Sequence, residues 1–428
     1  MLVEFYGQNF GCFRDEFRLS MLATDIDPNS DRGIVKVRVD GDAEPLRLLR
    51  AVAIYGPNAS GKSTVLRAAA ALRHLIGESA TLESDAMLAP YEPFAVGADG
   101  KPVRLGITAV IDNTVYDYEV QFLRSHFTSE RLELWHADGE ATVLLDRIGQ
   151  KVSGQWGDDP QFALISKDFR PNALLLSLAD RLAPALAKNI AVGLRRLLEP
   201  YPSIPARFGF FNRDDAARLA YEDRNFADWL ASRLKSADVG VTGLKTEEFE
   251  TPARFPADDD GERKADGANR INKRKSYRIS LTHGTPDRGF EVPYRRESLG
   301  TRKLVELAPL LYQLAHAKQP MAALVDEIHE SLHPKLLEGL IRNFNCDTPM
   351  EQVRGQLVFA THETALLDGE AWTAVLRRDQ IYLTEKDASG AARLYSIAEF
   401  KERNNLNIRR RYLQGRYGAL PSLGVFDG

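Results

Sequence analysis

The sequence predicts an α/β fold with a mixed sheet at its core, and three stretches carry that prediction. An apolar run at 48–55 leads into a glycine-rich loop and then into the helix-prone VLRAAAAL at 65–72. Two β-rich runs, 103–111 and 115–122, flank Asp112-Asn113, a pair suited to a hairpin turn. From 173 to about 234 the apolar spacing becomes helical, with breaks at Pro200, Pro202 and Pro205. A mixed core with an antiparallel β subdomain and a helical insertion lobe is the architecture these imply.

The loop after the first run is Gly56, Pro57, Asn58, Ala59, Ser60, Gly61, Lys62, Ser63 and Thr64. It fits G-x-x-x-x-G-K-[ST] at each fixed position, between a strand and a helix as the chemistry requires. Glycines let successive N–H groups face one centre, where they and the helix N-terminus hold an anionic phosphate. Lys62 is expected to reach the β and γ phosphates of a nucleotide, Ser63 to offer its hydroxyl to Mg²⁺, and Thr64 to orient the loop.

Composition narrows the remaining classes. The 428 residues can form a large core, and 44% hydrophobic with 27% charged residues is globular usage. A formal charge of −4 gives no global attraction to nucleic acid or an acidic membrane. Two cysteines, Cys12 and Cys346, make no disulfide framework and lack metal-site spacing, which fits a reducing cytoplasm. The N-terminus reads as neither leader nor anchor, and no apolar run is long enough for a bilayer.

The order along the chain is then an N-terminal lobe at 1–160 with the loop and the antiparallel β subdomain, and a helical insertion at 161–275. A C-terminal lobe follows at 276–428. Within the insertion, 256–275 is almost wholly polar, changes from acidic to basic and reads as a mobile surface loop. Its Asn272-Lys273-Arg274-Lys275 loosely resembles a guanine-reading motif but lacks the aspartate that contacts the base.

Three downstream segments decide what the phosphate loop serves. The apolar run at 321–325 ends in Asp326-Glu327: on a strand parallel to that feeding the loop, Asp326 lies beside the Mg²⁺ shell and Glu327 polarises the attacking water. Alone, this is equally a capped core strand. Before a helix at 304–314, Ser298, Gly300 and Thr301 form a turn that can present N–H groups and a hydroxyl to an anion, though read alone a plain N-cap is the favoured reading. The strand at 356–360 ends in Thr361-His362, where His362 can hydrogen-bond a γ phosphate.

In this order and spacing the segments resemble the ABC-class ATPases, P-loop NTPases of the ABC-ATPase type, and within them the stand-alone ATPases that include SMC/RecF-like heads. The resemblance implies that 56–64 is Walker A, that 298–301 occupies the signature position, that Asp326-Glu327 is Walker B with its catalytic glutamate, that Ser331-Leu332-His333 is the D-loop and that His362 is the switch histidine. More narrowly, Asn9-Phe10, Pro93-Phe94, ESLGTRKL, VDEIHESLHP and the terminal YLQGRYGALP resemble the AAA family ATPases of bacterial abortive-infection and phage-defence operons, such as the AbiL-type and PARIS-type subunits. The chain departs from the wider pattern in three ways. Glu92-Pro93-Phe94 is the nearest candidate for the Q-loop, the signature lacks a double glycine, and His333 replaces the usual D-loop aspartate.

The resemblance implies one ABC-type ATPase unit over 1–428, with ATP and Mg²⁺ as cofactors. It also implies a homodimer or higher oligomer in which Ser298 and Gly300 of one subunit close over ATP held by Lys62 of another. The expected function is an ATP-hydrolysing subunit of an antiphage defence system, triggered by a phage protein. It is expected to control a separate operon-encoded effector, a Toprim-like or other nuclease, since the chain leaves little length for a nuclease domain of its own. A RecF/SMC-like DNA-repair or DNA-organising ATPase is the alternative, for which the basic residues between Lys401 and Arg416 could supply a nucleic-acid patch or merely a solvated face. A transporter subunit explains the long insertion less well.

Overall fold

The computed structural model describes residues 1–26, 31–98, 100–160, 162, 169–182, 185–201, 215–237, 240–252, 273–285, 288–345, 355–369, 374–400 and 406–421. The chain forms two compact units. One comprises Met1–Phe210, Gln313–Glu330 and Pro334–Gly428; the other comprises Phe211–Tyr312 and Ser331–His333.

The first unit is built on two large sheets and a small two-stranded one. The run at 48–55 is not one strand: it breaks at the buried Arg50 into β4 (Leu46–Leu49), which pairs with β3 (Ile34–Val37), and β5 (Ala51–Tyr55). β5 lies in a six-stranded sheet ordered β11 (Glu199–Pro200), β15 (Met321–Val325), β16 (Gly355–Ala360), β5, β17 (Ile381–Lys386) and β18 (Ala392–Ser396). All neighbours are parallel except β17 and β18. Strands covered on both faces read as unbroken apolar runs, and every residue of β5 is buried. β16 separates β5 from β15 in register Leu324–Val358–Val52, so the three strands end level and deliver Gly56, Asp326 and Thr361 to one sheet edge.

The second sheet is antiparallel, in the order β10 (Lys151–Ser153), β9 (Ala141–Ile148), β8 (Phe127–Trp135), β7 (Thr114–Phe122), β6 (Val103–Ile111), β1 (Leu2–Gln8) and β2 (Phe17–Ser20). Asp112 and Asn113 turn from β6 to β7 with φ of 47° and 61°, the positive angles of a type I′ hairpin. The helix Lys62–Glu78 buries Val65, Leu66, the alanines 68–71, Leu72, Leu75 and Ile76. It has no broad polar face because it shares a core with residues of both sheets. Helices Leu175–Leu182 and Ala185–Arg196 come from the stretch of helical spacing.

Two buried polar groups tie this unit together, and neither is visible as such in the sequence. Gln356 in β16, wholly buried, accepts from the N–H of Leu2 (2.7 Å) and donates to the carbonyls of Leu2 (2.9 Å) and Leu49 (3.1 Å). Glu130 in β8 accepts from the N–H groups of Leu175 (2.7 Å) and Leu176 (2.9 Å) and from the Tyr118 hydroxyl (2.9 Å). Arg147, equally buried, lies 3.5 Å from Glu130 and donates to the carbonyls of Gly149, Pro171 and Ala173. The carboxylate thus satisfies the donors that open the helix Leu175–Leu182 and fixes it to the antiparallel sheet.

The second unit carries a three-stranded antiparallel sheet, β12 (Val241–Pro252), β13 (Lys273–Thr285) and β14 (Arg288–Pro293). It also holds helices Asp215–Glu222 and Arg224–Ser236, the latter capped by Asp223, and most of the helix Leu299–His316. Phe226, Leu230, Leu234, Ile279, Leu281 and Val305 make its core. Lys273, Arg274 and Lys275, the basic end of the segment expected as loop, belong to β13; residues 256–272 of that segment lie outside the described residues. So does Cys346.

Candidate nucleotide site

The chain leaves β5 at Tyr55, turns through 56–61 and enters the helix at Lys62. Gly56 and Gly61 have φ of 149° and 121°. A Cβ on Gly56 would meet the Thr384 carbonyl at 2.4 Å and one on Gly61 the Cys12 sulfur at 3.0 Å, so neither position has room for a side chain. Thr384 in β17 donates to the Tyr55 carbonyl (3.2 Å) and meets the Ser60 hydroxyl (2.5 Å), fixing the loop from the neighbouring strand. Lys62 folds back over the loop, donating to the carbonyls of Gly56 (2.9 Å) and Pro57 (3.0 Å). Burial pushes its ammonium pKa down, while Glu327 and Asp326 pull it back up.

Asp326 follows β15 and is largely buried. Burial raises its pKa, opposed by the hydroxyl of Ser63, which donates to it. The structure therefore brings Lys62, Ser63, Asp326 and Glu327 from two separate strand ends to one place. A cavity of about 430 Å³ opens over the loop, lined by residues 58–64 together with Gly11, Cys12, Arg67, Glu327 and Lys386. The helix N-terminus, the loop glycines and the buried cation suit a nucleoside triphosphate, and the Ser63–Asp326 oxygen pair suits a hard divalent cation such as Mg²⁺.

Glu327 has φ of 49°, a left-handed angle that costs a glutamate energy. Its Oε2 lies 3.2 Å from His329 Nε2 and 3.7 Å from His362 Nδ1. The two imidazoles meet edge to face with centroids 3.8 Å apart. His329 Nδ1 is 2.9 Å from the hydroxyl of Thr361, and that hydroxyl accepts from the N–H of Glu363 at 3.0 Å. Burial, followed by the charge of His362, pushes the His329 pKa down to about 4, so the ring is neutral near pH 7.

Ser298, Gly300 and Thr301 belong to the second unit, with Ser331, Leu332 and His333. The Ser298 hydroxyl accepts from the Thr301 N–H at 3.1 Å and meets its hydroxyl at 2.8 Å, a helix N-cap. Gly300 is needed for close approach, since a Cβ there would lie 2.9 Å from the Ser331 carbonyl. Ser331 itself has φ of 63°. Of the Q-loop candidate, the Glu92 carbonyl accepts from the Gly11 N–H and its carboxylate pairs with Arg67 at 3.4 Å, both beside the cavity.

The AAA domain family described as "putative AbiEii toxin, Type IV TA system" matches residues 51–368. The chain belongs to this family. The AbiEii-type AAA domain accounts for the α/β P-loop ATPase fold, and the match runs from β5 through the phosphate loop, Asp326-Glu327 and His362. No curated protein matches the chain. Among solved structures, "SmcHead bound to the C-winged helix domain of ScpA" is similar at 13% identity and a TM-score of 0.38, over 92% of this chain and 97% of that one. Among the described residues no helix is long and apolar enough to cross a membrane.

Sequence reasoning did not single out Gly11, Cys12, Arg67, Lys386 or His329. Gly11, Cys12 and Lys386 come from remote segments with no shared motif, and Arg67 lies one turn into the helix that follows the loop. His329 sits two residues after Glu327, and an imidazole so close behind a candidate base was a usable signal.

Proposed function

We propose that this AbiEii-type AAA domain binds and hydrolyses ATP as a subunit of an antiphage defence system, in a dimer or higher oligomer whose nucleotide state controls a separate toxic effector. The observation that carries the ATPase reading is the convergence of Lys62, Ser63 and Glu327 on one cavity, with Asp326 hydrogen-bonded to Ser63. The family's description as a toxin of a toxin–antitoxin system supports the defence reading. It fits a subunit of the AbiL or PARIS type, acting in the cytoplasm with a nuclease encoded beside it and a phage protein as trigger.

Lys62 exchanges its two carbonyl contacts for phosphate oxygens, and the loop N–H groups take the remaining charge. Mg²⁺, held by Ser63 and Asp326, supplies charge neutralisation when bound. Glu327 accepts the proton of the attacking water through Oε2. His362, more than half exposed, offers an imidazole N–H to the γ phosphate. Ser298, Gly300 and Thr301 serve the ATP of another subunit, where the N-cap hydroxyl and N–H groups face its γ phosphate.

Glu327→Gln should lower phosphate release by roughly 10²- to 10⁴-fold, the usual worth of a general base, and accumulate an ATP-bound dimer on size exclusion. Lys62→Ala should lose ATP binding. Unchanged turnover in Glu327→Gln sinks the mechanism. Co-purification with the neighbouring gene product, and harmless expression of this chain alone, test the separate effector. Salt-sensitive DNA binding that stimulates turnover would favour the RecF/SMC-like alternative instead.

A further inference from the structure

We propose that Glu327, His329 and His362 form a binding site for a transition-metal ion of the zinc class, and that filling it switches hydrolysis off. The inhibitory half rests on the function proposed above; the binding half stands on geometry alone. The three donor atoms, one carboxylate oxygen and two imidazole nitrogens, lie within 4.8 Å of one another. Two of the separations are 3.2 and 3.7 Å. Bonds of about 2.0–2.1 Å at a tetrahedral angle hold neighbouring donors about 3.4 Å apart, so small side-chain rotations bring the set onto one ion. Two histidines and a carboxylate leave the fourth position to water.

The surroundings favour that use. His329 can coordinate through Nε2 only with its one proton on Nδ1, and Nδ1 faces the Thr361 hydroxyl at 2.9 Å. That oxygen accepts the Glu363 N–H and keeps a lone pair for a second donor, so the metal-ready tautomer is hydrogen-bonded at its far side. Thr361 is wholly buried, which holds the ring in place. His329 is the buried floor of the cluster, with its side chain 11% exposed, whereas His362 is 60% exposed and Glu327 39%, giving an ion a route in. Imidazole donors select zinc-like ions; Mg²⁺ keeps to oxygens such as those of Ser63 and Asp326. An ion held here occupies the Glu327 oxygen that would take the proton from water and withdraws His362 from the nucleotide.

The test is a titration of the full, nucleotide-free chain with Co²⁺, whose visible absorption is intense when it is four-coordinate. One saturable equivalent is expected, displaced by Zn²⁺ and not by millimolar Mg²⁺. Thr361→Val should weaken binding by roughly 10- to 100-fold, as loss of an outer-shell partner does. His329→Ala should weaken it further, and so should His362→Ala, whose exposed position guards against misfolding as the explanation. His126→Ala, at an exposed histidine, should leave the band intact. Absence of a saturable band in the wild type, or its survival in both cluster variants, overturns the site. With MgATP present, one equivalent of Zn²⁺ should suppress turnover reversibly, EDTA restoring it; full turnover with the site filled overturns the inhibition. A wild type that never hydrolyses ATP refutes the proposed function and leaves the cobalt result to judge the site.

Discussion

Two carboxylates in the same unit are treated in opposite ways. Glu130 is wholly buried and has four donors within 3.5 Å: the Tyr118 hydroxyl, two opening N–H groups of a helix, and Arg147. Glu327 stands at a strand end with a left-handed backbone angle, 39% of its side chain open to solvent, and two imidazoles near a single oxygen. The first has no lone pair to spare and serves the fold. The second keeps an oxygen available, at a cost in backbone strain, and such sites are where chemistry is found.

Substitutions at the two positions should therefore separate stability from turnover. Glu130→Ala strands the Arg147 charge and two buried N–H groups, and should cost about 3–5 kcal/mol in urea denaturation. Gln356→Leu, at the other buried polar tie, leaves backbone groups of Leu2 and Leu49 unpaired and should cost about 1–3 kcal/mol. Glu327→Gln should change unfolding free energy by no more than about 0.5 kcal/mol, although turnover should fall by roughly 10²- to 10⁴-fold. If it destabilises as Glu130→Ala does, the contrast between the two carboxylates fails.

A further effect is a pH slope. Burial holds the His329 pKa near 4 in the fold, below its ordinary 6.5, with His362 and Lys62 lowering it and Glu363 and Glu330 opposing them. Between those values the unfolded chain binds more protons than the folded one. The stability associated with the neutral ring is complete above about 6.5 and is lost as pH falls towards 4. His329→Asn should flatten the difference in urea midpoint between pH 7 and pH 5; an unchanged difference would show that the ring is not held neutral.

These two carboxylates also mark what could be read from sequence. The phosphate loop was legible because its chemistry needs consecutive residues of fixed type, and Asp326-Glu327 because an apolar strand ends in two acids. Glu130 was not, since a charged residue within a β run looks the same whether it faces water or a helix terminus. His329 gains its meaning from Thr361, 32 residues on and one strand over. The cavity wall from Gly11, Cys12 and Lys386 likewise exists only after folding. In the second unit, β13 carries KRKSYRISLTHGT, whose charges and single glycine obscure a strand that hydrogen bonding to β12 and β14 makes regular.

The positive φ at residue 327 bears on which acid can stand there. Aspartate enters left-handed backbone more readily than glutamate, so local energetics alone would choose the shorter acid. Its carboxylate would also be drawn back by about 1.5 Å, the length of one carbon–carbon bond, away from both imidazoles. Reach has been given precedence over ease of folding at this position. A chain that kept the charge but shortened the arm would be a comfortable protein with its acid out of touch with its histidines.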